Sequence, residues 1–529
     1  MQGAAKVKDP AMTPSYLLAL DNGTQSVRAL LFDAKGQLHF KTQHILNPPF
    51  EQGPDGRAEL DPERFWQALC QASRQLMAKS GVAPSDIAAV ALTTQRSTVL
   101  HLDAQGVPLR PAMVWPDRRR AQHIPALPWY WRLALGAIGQ LKTVRHFQRE
   151  AELNWVAANQ PKVHGQAAKV GLLSAWLTLR LTGQYRDSVA GQVGFLPFSY
   201  RRQRWASFWD WKWRALAVRP EQLPELVPPS GLLGCLSEDA AAQTGLPAGL
   251  PLYAAGGDKQ AEVAGCGVVD PSALAISLGT TATIAGLSDR YREAVSFLPP
   301  YPSLTPGQYC LEIQLNRGFW LLRWLLAEFG QAETDAAQSQ DRSPEELVEE
   351  LIRAVPPGAD GLVFDPHLAP GVIYPGPEAR GALVGLTDSH SRAHLYRALI
   401  EGIAYALKSG LERIEQAKGQ RHQLIRVAGG GSQSDTVMQI LADVLGRPVS
   451  RPHTFEASGL GAAMAAAVGL GWYPNLGEAA QAMCHQGEVF WPQPAHQSAY
   501  QRLYREIYRP LYGKLRPLYR RLLNWKEDA

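Results

Sequence analysis

The sequence predicts an α/β protein made of two related lobes, and three observations carry that expectation. First, a strand, a glycine turn and a second strand occur twice: an apolar run at 16–21 enters Asn22-Gly23-Thr24-Gln25-Ser26 before a run at 27–33, and the run 273–278 enters Gly279-Thr280-Thr281-Ala282 before 283–287. Second, each half has a later apolar strand that ends in a polar loop, at 87–94 and at 424–428. Third, helical stretches such as 62–79 and 394–417 lie between such strands, and alternating strands and helices mark α/β architecture. A chain of 529 residues exceeds what a single hydrophobic core supports, so two large domains are expected. The repeat period of about 250 residues is too long for a solenoid and implies duplicated lobes. Gly265-Cys266-Gly267-Val268-Val269-Asp270-Pro271 breaks the pattern and sets the boundary. The expected division is an extension at 1–15, a first lobe at 16–268, a second at 269–495 and a basic helical tail at 496–529.

The composition, 46% hydrophobic and 19% charged, is that of an ordinary globular protein, and no apolar run reaches the length of a membrane span. The first residues lack the apolar core of a secretory signal. Five scattered cysteines without C-x-x-C spacing indicate neither a disulfide framework nor a thiolate metal site, so a cytoplasmic location is expected. The net charge of +5 resides wholly in the tail, where eight Lys or Arg face three acids. Tyr500, Leu503, Tyr504, Ile507, Tyr508, Leu511, Tyr512, Leu515, Leu518 and Tyr519 recur there at roughly helical spacing, with interruptions expected at Pro510 and Pro517. A packing helix with a solvated basic face is the favoured reading, and neither a nucleic-acid nor a membrane partner is expected.

The chemistry-bearing motifs are glycine turns. A strand-turn-strand tipped by Gly and Thr presents backbone N–H groups and a hydroxyl to a phosphate, and Asp21 at the strand end suits Mg²⁺. One Asp-Asn-Gly turn between strands is more often a plain hairpin. A second Gly-Thr hairpin at Gly279-Thr280 in the other half makes coincidence a poor explanation. Gly429-Gly430-Gly431-Ser432, between a strand and a helical run at 435–445, offers flat backbone to an adenine ring or, taken alone, is simply a helix N-terminus. Neither G-x-x-x-x-G-K-[ST] nor G-x-G-x-x-G is present, so a nucleotide site here is of another kind.

Ordered motifs through nearly the whole chain resemble the FGGY carbohydrate kinases, of the actin, hexokinase and heat-shock ATPase superfamily. They are Leu-Asp-Asn-Gly-Thr-Gln-Ser at 20–26, Pro-Ala-Met-Val-Trp-Pro-Asp-Arg-Arg at 111–119, Gly-Gly-Asp-Lys-Gln-Ala-Glu-Val-Ala-Gly at 256–265, the runs 380–387 and 395–404, and the stretch from Gly429 through 459–463. The resemblance implies two actin-like, ribonuclease H-like lobes with ATP and substrate in the cleft between them. It also implies in-line transfer of the ATP γ-phosphoryl to a sugar or polyol hydroxyl, chemistry that needs positioning and charge neutralisation above all. On it, Asp258 is the catalytic base and Asp21 serves Mg²⁺. Thr24, Ser26, Arg28, Gly279 and Thr280 contact phosphates, and Gly430, Gly431 and Ser434 border the adenosine.

The resemblance places the sugar pocket mainly in the first lobe, with Arg96, Ser97, Trp115, Asp117, Asp258 and Lys259 as substrate contacts. The subfamily stays open. Gln95-Arg96 is similar to glycerol kinases, but those continue with a glutamate where this chain has Ser97, and xylulokinases usually carry Met-His. Lys259 stands where those groups have glutamine or asparagine. It either anchors an acidic substrate such as a sugar acid or pairs with Glu262 in a helix. The aromatic segment 127–136 and the tryptophans of 205–213 are read first as core packing, with a lid or a contact in a homodimer as the alternative. A non-catalytic, regulatory ATP-binding protein of the same fold is the competing reading of the whole chain. Asp258 and the Trp115-x-Asp117-x-Arg119 pattern favour the enzyme.

Overall fold

The computed structural model describes residues 16–371 and 375–528; the extension at 1–15 lies outside them. The chain forms two compact units, the first running to Ala261 and taking in Ser458–Met483, the second comprising Glu262–Ala457 and the chain from Cys484 onward.

In the first unit, Tyr16–Asn22, Ser26–Phe32 and Leu38–Ile45 form an antiparallel meander. Ile87–Thr94 adds in parallel to Tyr16–Asn22, Pro251–Gly257 adds in parallel to Ile87–Thr94, and Leu232–Cys235 closes the far edge antiparallel. The inner strands are buried nearly end to end, which is why they read as continuous apolar runs. Helix Pro62–Ser80 starts where proline suits the first turn and where Asp61 Oδ1 accepts from Glu63 N at 3.0 Å. It buries Phe65, Trp66, Leu69 and Leu76 against the sheet.

The second unit repeats this order. Ala273–Leu278, Ala282–Ser288 and Tyr309–Leu315 form the meander, Leu424–Ala428 pairs in parallel with Ala273–Leu278, Val449–Pro452 pairs in parallel with Leu424–Ala428, and Gln486–Phe490 closes antiparallel. Tyr301–Pro302 adds a short outer strand. Helix Arg392–Lys418 supplies much of this core through Tyr396, Leu399, Ile403, Leu407 and Leu411. The six principal strands match the first unit in spatial order and direction, so the duplication read from two glycine hairpins extends to the sheet; the one difference in connection is that the closing edge strand precedes its neighbour in the first unit and follows it in the second.

Two features depart from the sequence reading. Ser458–Met483 packs with the first unit, whereas a chain-linear division at 268/269 leaves it with the second. The reason is close approach: a Cβ at Gly459 would collide with Leu30, so helix Ala457–Gly469 lies flush on strand Ser26–Phe32. The tail is not a separate element either. Helix Pro494–Leu503, a π-turn at Tyr504–Tyr508 and helix Arg509–Asp528 run on without the breaks expected at the prolines. Pro510 falls in the first turn of its helix, where its missing N–H costs least. Tyr500, Tyr504, Tyr508 and Leu511 enter the second core, as a packing helix requires.

The tail is tied down by a buried charge cluster. Arg397 donates to Glu401 Oε1 at 2.8 Å, to the Ile352 carbonyl at 2.9 Å and to the Tyr500 hydroxyl at 2.8 Å, and Tyr500 donates to Glu401 Oε1 at 2.7 Å. Removing one member strands a buried charge. Arg397→Ala is therefore expected to cost about 3–5 kcal/mol, read as a fall in the urea midpoint, whereas Tyr500→Phe costs about 1–3 kcal/mol.

Candidate active site

The parallel pairing of the first sheet brings three strand ends together. Asn22 is in register with Thr94, and Thr94 with Gly257, so the residues that follow each strand leave the sheet at one edge. Asp21 is buried at the end of its strand and pairs with Arg28 at 2.8 Å across the hairpin. In the turn, Gly23 N donates to the Ser26 carbonyl at 3.0 Å. Thr24 donates its hydroxyl to Gln95 Oε1 at 2.8 Å and accepts from Trp115 Nε1 at 2.8 Å. Ser26 accepts from Gln43 Nε2 at 2.8 Å. Gln95 is itself anchored by its backbone N to the Asn22 carbonyl at 2.9 Å.

Asp258 is the residue at which strand Pro251–Gly257 becomes helix Asp258–Gly265. Its Oδ1 accepts from Lys259 N at 2.8 Å, and Arg96 Nε lies 3.7 Å away. Lys259 is half-buried one step further along the helix. Ser97 is a non-glycine residue in the left-handed region, with φ 55°, and both its N–H (3.2 Å) and its hydroxyl (3.0 Å) donate to the Val193 carbonyl. A Cβ at Gly257 would lie 2.7 Å from Arg96 Cγ, so glycine there lets the Arg96 stem pass close over the strand. Arg96, Ser97, Asp258 and Lys259 thus come from two adjoining strand ends.

Asp117 differs from expectation. Its side chain is 2% exposed, and both oxygens are taken: Oδ1 by Arg119 N at 3.0 Å and Nε at 3.1 Å, Oδ2 by Ala58 N at 2.9 Å and by an Arg119 terminal nitrogen at 2.6 Å. Arg119 also reaches Glu59 at 2.5 Å, Arg110 binds the same Glu59 oxygen, and the Arg119 guanidinium stacks 4.0 Å from the Trp155 ring centroid. Burial pushes nearby Glu152 up to about 8, favouring its neutral form, while the hydrogen-bonded cluster itself sets two carboxylates, Asp117 and Glu59, against two guanidinium groups. Asp117 is a structural anchor for the loop that presents Trp115, with no lone pair left for a sugar hydroxyl in this arrangement. Glu59, which completes the cluster, has no sequence signature beyond one acid in a short strand.

In the second unit, Gly279 and Thr280 form the matching hairpin, braced from behind: Gly318 N donates to the Thr280 carbonyl at 2.8 Å and Phe319 N to the Gly279 carbonyl at 2.9 Å. The triple glycine has unequal duties. Gly429 has φ 88°, and a Cβ there would lie 2.7 Å from the Leu278 carbonyl carbon, while one at Gly431 would lie 2.7 Å from the Phe319 ring. Gly430 opens on free space. Ser434, expected beside the adenosine, caps helix Asp435–Leu445 by accepting from Val437 N at 3.2 Å.

The aromatic segment forms helix Trp129–Ala137, in which Leu135 is buried but Trp129 is 71% exposed, so core packing does not describe it. Trp211 and Trp213 pack as expected, whereas Trp209 is 79% exposed. No helix among the described residues is long and apolar enough to cross a membrane, and no cluster of three metal-ligating side chains occurs among them.

Comparison with known proteins agrees with this layout. Residues 16–265 match the N-terminal domain, and residues 274–470 the C-terminal domain, of the FGGY family of carbohydrate kinases. An autoinducer-2 kinase of Escherichia coli O139:H28 (strain E24377A / ETEC) is 30% identical over 511 residues, covering 93% of each chain. The uncharacterized sugar kinase YgcE of Escherichia coli (strain K12) is 28% identical over 489 residues, 91% of this chain and 90% of that protein. Among solved structures, a xylulose kinase from Rhodospirillum rubrum superposes with a TM-score of 0.79 at 27% identity, over 96% of this chain and 100% of that one. With both family domains matched in order on duplicated sheets, the chain belongs to the FGGY family of carbohydrate kinases and is an ATP-dependent sugar kinase.

Proposed function

We propose that Asp258 is the general base that accepts the proton of the acceptor hydroxyl, and that the acceptor is a small sugar, polyol or sugar acid. The observation that supports this reading most directly is the placing of Asp258 at a strand end beside the strand that leads into Arg96, with Arg96 Nε 3.7 Å from its carboxylate. The acceptor oxygen forms a bond to the γ-phosphorus as the bond from that phosphorus to the bridging oxygen breaks. The proton passes to Asp258, and ADP leaves with the bridging electron pair. Arg96 is suited to orient the acceptor, as is the half-exposed ring of Trp115, and Lys259 beside the base suits an acceptor that carries a carboxylate.

On the nucleotide side, backbone N–H groups of both hairpins suit phosphate oxygens. Of the triple glycine, Gly430 is the position that a flat base can approach. Mg²⁺, when bound, neutralises phosphate charge. Asp21 and the amide oxygen of Asn22 fit it, because the Asn22 carboxamide is wholly buried with no hydrogen-bond partner among the described residues. Arg28 remains a phosphate candidate through a terminal nitrogen already committed in part to Asp21.

Turnover of xylulose, gluconate, glycerol and autoinducer-2, read as ADP release, tests the reading. Asp258→Asn is expected to lower turnover of the best acceptor about 10²- to 10⁴-fold while ATP binding by calorimetry is retained. Undiminished turnover in that variant removes Asp258 as the base. Asp117→Asn should act on stability instead, costing about 3–5 kcal/mol in urea unfolding with little change in the acceptor KM. Gly430→Ala is expected to raise the ATP KM at an unchanged melting temperature, whereas Gly431→Ala lowers the melting temperature by crowding Phe319.

A further inference from the structure

A buried carboxylate away from the strand ends is joined to both halves of the acceptor site. Asp187 is 1% exposed, and its carboxylate receives three donors: Ser188 N on Oδ1 at 2.8 Å, with Gln192 Nε2 at 2.7 Å and the Ser174 hydroxyl at 2.9 Å on Oδ2. Burial lifts its pKa to about 6, and the three donors favour the ionised form that they can all serve.

Two branches leave this carboxylate. Along one, Ser188 donates its hydroxyl to the Ala255 carbonyl, three residues before Asp258 on the strand that leads into it, while that hydroxyl accepts from Ala190 N at 3.2 Å. Thr93 pins the next residue of the strand, donating to the Gly256 carbonyl at 2.9 Å. Along the other, Gln192 bridges Asp187 and the Ser188 carbonyl (3.1 Å), fixing the turn Val189–Gly191 and so the Val193 carbonyl. That carbonyl takes both donors of Ser97 and holds it at φ 55°, a backbone state that persists only where its surroundings enforce it. Arg96, one residue earlier, faces Asp258. The branches therefore close a circuit: Asp187, Ser188, Ala255, Asp258, Arg96, Ser97, Val193, Gln192 and back.

We propose that Asp187 is a positioning residue for phosphoryl transfer, setting the distance between the Arg96–Ser97 turn and the Asp258 carboxylate through this circuit. The proposal rests on the reading of Asp258 as the base, since only then does that distance govern the chemistry. Asp187 itself touches no reacting atom. Two of its donors, Ser188 and Gln192, sit at the two ends of the short stretch 188–192, which touches the strand leading to Asp258 at Ala255 and is followed by the Val193 carbonyl that holds Ser97, while Ser174 ties the same carboxylate to helix Leu173–Thr182.

The test is amide hydrogen exchange on the full chain, together with turnover of whichever of xylulose, gluconate, glycerol or autoinducer-2 is phosphorylated fastest. Ser188→Ala is expected to speed exchange in 255–259 and leave 95–98 unchanged, and Gln192→Ala to do the reverse. Asp187→Ala speeds both about tenfold or more. It lowers kcat roughly 100-fold, as small misplacements of reacting groups do, while the ATP KM stays within about twofold. Exchange that rises evenly over the whole first unit in all three variants overturns the proposal, as does a folded Asp187→Ala with wild-type exchange and kcat. If Asp187→Ala does not fold, the contrasting patterns of Ser188→Ala and Gln192→Ala decide alone. Failure of the base assignment is read separately, as undiminished turnover in Asp258→Asn whatever the exchange pattern.

Discussion

Parallel pairing of three strands is the constraint on which the first unit's chemistry depends. Parallel neighbours end at the same edge of a sheet, so the residues that follow them are delivered to one place without any attraction between them. Here the register of Asn22 with Thr94 and of Thr94 with Gly257 delivers the 22–26 turn, the Gln95-Arg96-Ser97 turn and the Asp258 helix start together. Antiparallel pairing of Ile87–Thr94 with either neighbour would send Arg96 to the opposite edge. The apolar character of these strands is therefore a functional requirement as well as a packing one, because only strands buried on both faces occupy the centre of such a sheet.

The second unit repeats the same geometry with different residues at the strand ends. Its parallel pair, Ala273–Leu278 with Leu424–Ala428, brings Gly279 and Gly429 to one edge, close enough that a side chain at Gly429 would meet the Leu278 backbone. What emerges is backbone with little side chain, in contrast to the charged and hydroxylated groups of the first unit. Surrounding charge clusters then fix the loops: Asp117, Arg119, Glu59 and Arg110 behind Trp115, and Arg397, Glu401 and Tyr500 beneath the C-terminal helices. Each is a set of buried ions that is costly to break, which gives loop positions the rigidity that loop sequence does not.

Much of this was legible in the chain itself. Unbroken apolar runs ending in Asp-Asn-Gly-Thr and Gly-Thr-Thr marked the paired hairpins, helical periodicity marked 62–79 and 394–417, and the tyrosine spacing of the tail marked a packing helix. For Asp117 and Ser434, residue type and position in a motif do not reveal which lone pairs local hydrogen bonds already occupy. Asp117 loses both oxygens to Arg119 and the Ala58 amide, and Ser434 gives its hydroxyl to a helix end. Trp129 was misread in the opposite sense, since an amphipathic aromatic stretch looks the same in sequence whether or not anything packs on it.

The duplicated α/β plan and the glycine hairpins follow from local propensity and pattern alone, and Asp258 stands out as a candidate through the ordered motifs that resemble the family. Folding in three dimensions was needed to show that Ser458–Met483 joins the first unit, that both Asp117 oxygens are held by Arg119 and the Ala58 amide, and that Asp187 is linked through hydrogen bonds to Ser97 and to the strand that leads into Asp258. Those facts depend on contacts between segments far apart in the chain: Gly459 with Leu30, Asp117 with Ala58, Ser188 with Ala255 and Ser97 with Val193. No local pattern encodes a partner many tens of residues away, so the fold had to be assembled before the wiring could be read.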